Sequence, residues 1–331
     1  MYVVNAAGND ISQYDVGATG KLVAKADPTV AAGRNPVSLV LRPDGESVYV
    51  ANGVSDTISE YDVGQTGELR PMAHREVATG ASPGAIGVTP DGRSLYVIDT
   101  AASEISEYEI GAGGELRPQT RPRVRTPRAP GSLAISPDGR SLYVTVAEDR
   151  VAEYDIESGG GLRSKPRATI ATGSGPGAMA VSPDGKSVYV NNFDSNDPVI
   201  SQYNVGARGE LSVKGGPPPS PPIDPITLTV SPDGKSVYVC GGNGSLSQFA
   251  VGRDGRLSTT PEIIVDGGED ANGVVLSPNS RNIYIANTYG VYEYQLSADG
   301  LLQPSEIRSI PAGDAPRAIA YLPADPRHSE G

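Results

Sequence analysis

Apolar and polar positions alternate with period two in short runs along the whole 331-residue chain, and nowhere does a useful helical period appear. Runs such as ISQYD at 11–15, ISEYD at 58–62 and ISEYE at 105–109 put Ile on one face of an extended backbone and Tyr, with the serine two before it, on the other. A second type of run, VYV or LYV, is apolar throughout, as in a strand covered on both faces. A third, Leu133-Ala134-Ile135 and its equivalents, mixes large apolar residues with small ones. Short strands joined by turns are therefore predicted from end to end.

The turns repeat with the strands. SPDGKSVYV stands at 182–190 and again, letter for letter, at 231–239. In Pro-Asp-Gly the proline presets φ, the aspartate bonds its own backbone and the glycine takes a left-handed conformation, so the tripeptide reads as a hairpin turn. Asp44, Asp91, Asp138, Asp184 and Asp233 are accounted for by this geometry. Aligned on the tyrosine of the apolar run, the copies fall at Tyr2, Tyr49, Tyr96, Tyr143, Tyr189, Tyr238 and Tyr284, with spacings of 47, 47, 47, 46, 49 and 46. A second marker, Gly-x-Leu, agrees independently at Gly20, Gly67, Gly114, Gly160, Gly209, Gly255 and Gly300.

Seven units of four short strands each predict an all-β fold, a seven-bladed β-propeller with four antiparallel strands per blade. The chain starts at a second strand, MYVVN, and ends after a first strand, APRAIAYLPAD. The expectation is a single propeller over residues 1–331. Its last blade is shared between about 308–325, with an inner strand at 317–322, and the N-terminal 1–25, which closes the ring. The strand tyrosines, with Tyr14, Tyr61, Tyr108, Tyr154, Tyr203 and Tyr294 of the third strands, are read as packing between blades in a chain with no Trp and two Phe.

Charge narrows the partners. With 27 basic and 39 acidic residues the net charge is −12 and the pI about 4.7, which disfavours nucleic acid and anionic membranes. Arg121, Arg123 and Arg125 alternate within RPRVRTPR and read as an edge strand kept soluble by charge. Cys240 is the single cysteine, so no internal disulfide and no cysteine-based metal site is expected; it takes the place of Ala51 and Ala286 and reads as a small core residue. No apolar stretch has the length of a membrane span and no export signal is seen, which reads as cytoplasmic for the chain as written, or as secreted if a leader has been trimmed from it. GGPPPSPPIDP at 215–225 reads as a rigid substitute for an outer strand.

PDGxSxYVxN followed by a third strand ending in Asp resembles the YVTN repeat. The ring as a whole is similar to the lactonase-like seven-bladed propellers, which include 6-phosphogluconolactonase-like and carboxymuconate cyclase-like proteins. The resemblance implies catalysis without metal or cofactor, by Arg, His and Glu at one mouth of the channel. A GPRH segment ahead of the first strand and an Asn-Glu after YV carry it in that group. Here Pro316-Arg317 matches, Ala318 holds the His position, and Gly53, Phe193 and Thr288 stand where Glu would follow the Asn. The histidines, His74 and His328, lie elsewhere.

Function in a ring of similar blades is sought where the repeat is broken. Two places before the incoming proline stand Arg34, Ala81, Arg128, Ser174, Ile223, Glu269 and Asp314; one place before it stand Asn35, Ser82, Ala129, Gly175, Asp224, Asp270 and Ala315. Glu269, Asp270, Asn272, Asp314, Arg317, Arg34 and Asn35 are thus expected to form one polar arc over three neighbouring blades, with Arg128 across the mouth. Arg317, Glu269, Asp270 and Asp314 are the candidate catalytic residues. Arg34, Asn35, Arg128, Phe193, Asn272 and Tyr289 are the candidates for substrate binding, the two aromatics by stacking. Calcium is weighed against this reading, since Glu269, Asp270, Asn272 and Asp314 offer oxygen ligands, but no loop signature supports it. The expected activity is a metal-independent lactonase or cyclase acting on a small polar molecule. The alternative is a non-catalytic propeller that binds a protein or a small ligand on the same face.

Overall fold

The computed structural model describes residues 1–193, 198–221, 224–266, 268, 270–303 and 308–322. Every regular element among them is a strand, and the strands form seven four-stranded antiparallel sheets. Blade one comprises Pro36–Leu41, Ser47–Asn52, Thr57–Val63 and Leu69–Ala78 from the axis outward. Blade seven places Pro316–Ala320 innermost and completes the sheet with Tyr2–Asn5, Asp10–Val16 and Leu22–Ala31 from the other end of the chain. The register there is Tyr2 opposite Ala320, Val3 opposite Ile319 and Val4 opposite Ala318. The inner strand therefore ends before Tyr321 and Leu322, which the sequence pattern had included. They leave the ladder and lie partly buried against the cores on either side of this blade.

The core is divided into seven clusters, one between each pair of adjacent blades. Between blades seven and one, Tyr2, Val4 and Ile11 pack on Leu39, Val48, Val50, Tyr61 and Leu69. Second strands are buried on both faces because each blade is covered on both sides, which is why VYV carries no alternation.

Two hydrogen-bond rings join the blades near the end of the barrel that carries the hairpin turns. In all seven blades the second-strand tyrosine donates its hydroxyl to the carbonyl of the Gly-x-Leu glycine of the next blade, at 2.6–2.8 Å. In all seven, a third-strand Glu or Gln accepts from the N–H of the Gly-x-Leu leucine of the next blade, at 2.6–2.9 Å. These acceptors are Gln13, Glu60, Glu107, Glu153, Gln202, Gln248 and Glu293. Burial pushes the carboxyls of Glu60 and Glu107 up to about 7, against the pull of the main-chain N–H each one accepts, and raises Glu153 and Glu293 as well. Third-strand tyrosines tie down the linkers: Tyr61 donates to Ala31 O and Tyr108 to Ala78 O, each at 2.7 Å.

The turn aspartates do what their sequence context requires. Asp138 Oδ1 accepts from Arg140 N at 3.0 Å, and Asp184 and Asp233 repeat the contact with Lys186 and Lys235. Cys240 is fully buried and its thiol is pushed up to about 12 by that burial, as befits a core residue. The proline-rich segment follows the short outer strand Leu211–Val213, and its Pro219 carbonyl still accepts from Ile200 N at 3.0 Å, because proline loses only its donor.

Candidate functional site

Antiparallel strands put the loops entering each inner strand and the turns between second and third strands at one end of the ring, opposite the hairpin turns. Main-chain bonds lock these loops and turns together. Ala6 N donates to Ala315 O, Gly53 N to Asn35 O, Ala147 N to Arg128 O and Phe193 N to Gly175 O, at 2.8–3.0 Å. The described candidates all stand on this end. Arg34, Arg128, Phe193, Asp270, Tyr289, Asp314 and Arg317 are exposed, while Asn35 and Asn272 are half-buried. Glu269 lies outside the described residues, as do His328 and the 194–197 part of the loop that follows Phe193.

Two residues of the expected arc meet directly. Arg317 Nη1 reaches Asn272 Oδ1 at 3.4 Å, and Asn272 Nδ2 donates to Pro316 O at 3.1 Å, so blade six holds the arginine of blade seven by its side chain and the preceding carbonyl. Asp270 Oδ2 accepts from Thr288 Oγ1 at 3.2 Å. Among the described residues no ion pair involves Arg34, Arg128, Arg317, Asp270 or Asp314. By contrast, the turn aspartates Asp44, Asp184 and Asp233 all pair with a basic neighbour. The mouth therefore presents three guanidinium groups and two carboxylates free of ion pairing within those residues, a set able to hold an anion and to accept a proton.

Several candidates also carry a structural duty. The residue before the incoming proline, or before Ala271 in blade six, has positive φ in every blade: Asn35 54°, Ser82 56°, Ala129 45°, Gly175 65°, Asp224 55°, Asp270 53° and Ala315 55°. Asn and Asp tolerate this conformation better than other side chains, which accounts for Asn35 and Asp270 without any ligand. Asn35 is further pinned by its N–H, which donates to Asn9 Oδ1 of the preceding blade at 2.7 Å. Ser82 and Gly175 repeat that bond with Asp56 and Asp149. The recurrent Asn5, Asn52, Asn192 and Asn287 at the second-strand ends are fully buried, with Asn52 Nδ2 donating to Ser59 Oγ at 2.9 Å. Blade two has Asp99 there instead, its carboxyl raised by burial and held by Thr79 and Ser106.

Just inside the mouth lies a rim of which Asn272 and Arg317 alone were among the candidates. The residue after the incoming proline or its substitute is Val37, Gly84, Gly131, Gly177, Ile226, Asn272 and Arg317 in ring order. Three consecutive blades thus present backbone alone, facing a sector with Ile, Asn and Arg side chains. The signal was available as residues off the repeat at a fixed offset. A separate cleft of about 960 Å³ opens on the opposite end, along the seam of blades seven and one between the 43–46 and 62–67 turns. Its Lys25 is already engaged by Asp15 and by Thr66 O.

The comparisons agree with this architecture. A family model described as lactonase, seven-bladed β-propeller, matches residues 1–148 and 132–288. No curated protein matches the chain at a significant level. Among solved structures, the periplasmic gluconolactonase PpgL of Pseudomonas aeruginosa aligns with a TM-score of 0.79 at 21% identity over 96% of each chain. A provisional 6-phosphogluconolactonase from Bacteroides fragilis aligns with a TM-score of 0.82 at 19% identity, again over 96% of each chain. At these identities the likeness of structure establishes the fold alone.

Proposed function

The chain belongs to the lactonase family of seven-bladed β-propellers, and from that membership we infer that it hydrolyses a small polar lactone at the mouth that carries Arg317. The observation that carries the reading is Arg317 itself. It matches the proline-arginine pair expected of the family, is held in place by Asn272, and has no carboxylate partner among the described residues. A guanidinium so placed is available to an oxyanion.

In this reading a water molecule attacks the lactone carbonyl. Asp314 or Asp270, or the neighbouring Glu269, accepts the proton as the carbon–oxygen bond forms. Arg317 stabilises the developing oxyanion, with Arg34 or Arg128 on a carboxylate or other anionic substituent of the substrate. Collapse of the tetrahedral species breaks the ring carbon–oxygen bond, and the proton returns to the departing ring oxygen. The reaction needs nothing beyond water. A cyclase would run related chemistry in reverse, closing a ring from a carboxylate, and is the finer alternative within the same site.

A second reading, a non-catalytic propeller binding a ligand on this face, is favoured by a specific departure: Ala318 stands where the family resemblance implies His, and Gly53, Phe193 and Thr288 stand where it implies Glu. The two are separated by pH-stat assay of the wild-type protein on a panel of sugar and aliphatic lactones with a chelator present. Saturable hydrolysis supports the enzyme. Ligand binding at the mouth without turnover of any lactone supports the second reading.

A further inference from the structure

Among the described residues seven large apolar side chains are exposed. Val23, Val213 and Ile264 stand on outer strands, and the other four, Val54, Phe193, Ile226 and Tyr289, all stand at the mouth. Single exposed apolar residues are ordinary, but neighbouring ones at one mouth mark a surface that a ligand covers.

Phe193 and Ile226 are such neighbours. In blade five Ile226, the residue after the incoming proline, packs over the glycine of the facing turn: a β-carbon on Gly242 would lie 3.2 Å from Ile226 Cδ1. In blade four the two roles are exchanged. The inner strand carries Gly177, and a β-carbon there would lie 3.5 Å from Phe193 Cδ1, so the ring leans from the turn over the inner strand. Both side chains thereby reach the same level of the rim in adjacent blades, which Asn191 Nδ2 ties together by donating to Pro225 O at 2.8 Å. Phe193 is 52% and Ile226 39% exposed. Val37 covers Gly53 in the same way in blade one, yet it packs against the core between blades one and two.

From blade four to blade seven the rim side chains therefore run Phe193, Ile226, Asn272 and Arg317, from apolar to cationic. The guanidinium end suits an ester oxygen, and the apolar end gains by being covered. We propose that the mouth selects lactones that carry an apolar substituent, with the lactone carbonyl at Arg317 and the substituent across Phe193 and Ile226. The reaction rests on the lactonase reading; the preference rests on which side chains the rim exposes. Ile226 is then a specificity residue beyond the sequence candidates, and Phe193 serves this purpose at a place where the family resemblance implies a carboxylate.

δ-Valerolactone, δ-decalactone and glucono-δ-lactone share one ring and differ in what it carries: no substituent, a pentyl chain, and polar groups. The test compares kcat/KM on the three for wild type, Phe193→Thr and Ile226→Asn, substitutions that copy Thr288 and Asn272 of blade six in register. Wild type is expected to favour δ-decalactone over each of the others by about tenfold or more, and each variant to reduce that preference about fivefold. The ratio is unaffected by the fraction of a variant that folds. A wild type that favours glucono-δ-lactone, or treats δ-decalactone and δ-valerolactone alike, overturns the proposal, as does an unchanged ratio in either variant. A wild type that hydrolyses none of the three ends the lactonase reading, and octanoate then decides the apolar surface alone, its carboxylate taking the place of the ester at Arg317. Saturation-transfer NMR signals from its chain that the folded variants abolish support the surface; signals absent from wild type, or persisting in the variants, overturn it.

Discussion

Tyr49 of blade one donates its hydroxyl to the carbonyl of Gly114 in blade two at 2.6 Å. These residues belong to the two sequence markers that repeat with one period, and the bond between them explains why both repeat: each blade supplies the donor for the blade after it and the acceptor for the blade before. The glycine is needed because the turn holds φ at +86° and a β-carbon would lie 2.2 Å from Ser47 Oγ.

Tyr49→Phe leaves that buried carbonyl without its donor and is expected to cost about 1–2 kcal/mol. Gly114→Ala, which adds strain and a clash, should cost more. Urea unfolding monitored by circular dichroism gives both values, and a Tyr49→Phe protein as stable as wild type would remove the hydroxyl ring from the account of stability.

The buried glutamates make the fold sensitive to pH. The folded protein holds the Glu60 and Glu107 protons up to about 7, whereas the unfolded chain releases them near 4.5. The stability they contribute is complete below the unfolded value and is lost as pH rises through the folded one. Glu60→Gln and Glu107→Gln, copying Gln13 and Gln202, keep the acceptor and remove the charge. Each is expected to stabilise the protein by roughly 1–3 kcal/mol at about pH 8 and by almost nothing at about pH 4. Melting curves at the two pH values check this; a gain of the same size at both would refute the titration argument.

Arg317→Ala is expected to lower kcat/KM for whichever lactone is hydrolysed by about 10²-fold or more, as loss of an oxyanion partner does elsewhere. Arg317→Lys keeps the charge but loses the planar fork, and should recover only part of that. Unchanged turnover in Arg317→Ala would move the chemistry away from this residue.

Removal of residues 1–15 takes away Tyr2–Asn5 and most of Asp10–Val16, strands that carry the closure with Pro316–Ala320 and three of the eight buried residues in each of two inter-blade cores. The truncated chain is expected to lose its cooperative melt. A sharp transition like that of the full chain would mean that the ring does not depend on this closure.

The repeat made the blades, their number and the closing splice readable, because a strand period of two and Pro-Asp-Gly turns are local properties that each unit states again. The candidate site was legible only in outline. Arg317 and Asn272 were both expected in one arc over neighbouring blades, because ring order follows chain order, but their direct contact is a matter of side-chain geometry. Asn35 and Asp270 were chosen for their chemistry, yet the backbone gives them a second reason to be there: positive φ is not written in a side chain's charge.

What the sequence determined by itself is therefore the architecture and which loops gather at one end of the ring, since both follow from the spacing of short-range signals. The tertiary structure alone decided which of those residues are engaged by neighbours and which are left over. That Gln13 and Glu60 reach main-chain donors 56 residues further on, that Asn191 donates to the Pro225 carbonyl of the next blade, and that Arg317 meets Asn272 across a blade boundary depend on contacts between blades. Such contacts arise only when the ring closes and brings equivalent positions of successive repeats within hydrogen-bonding distance.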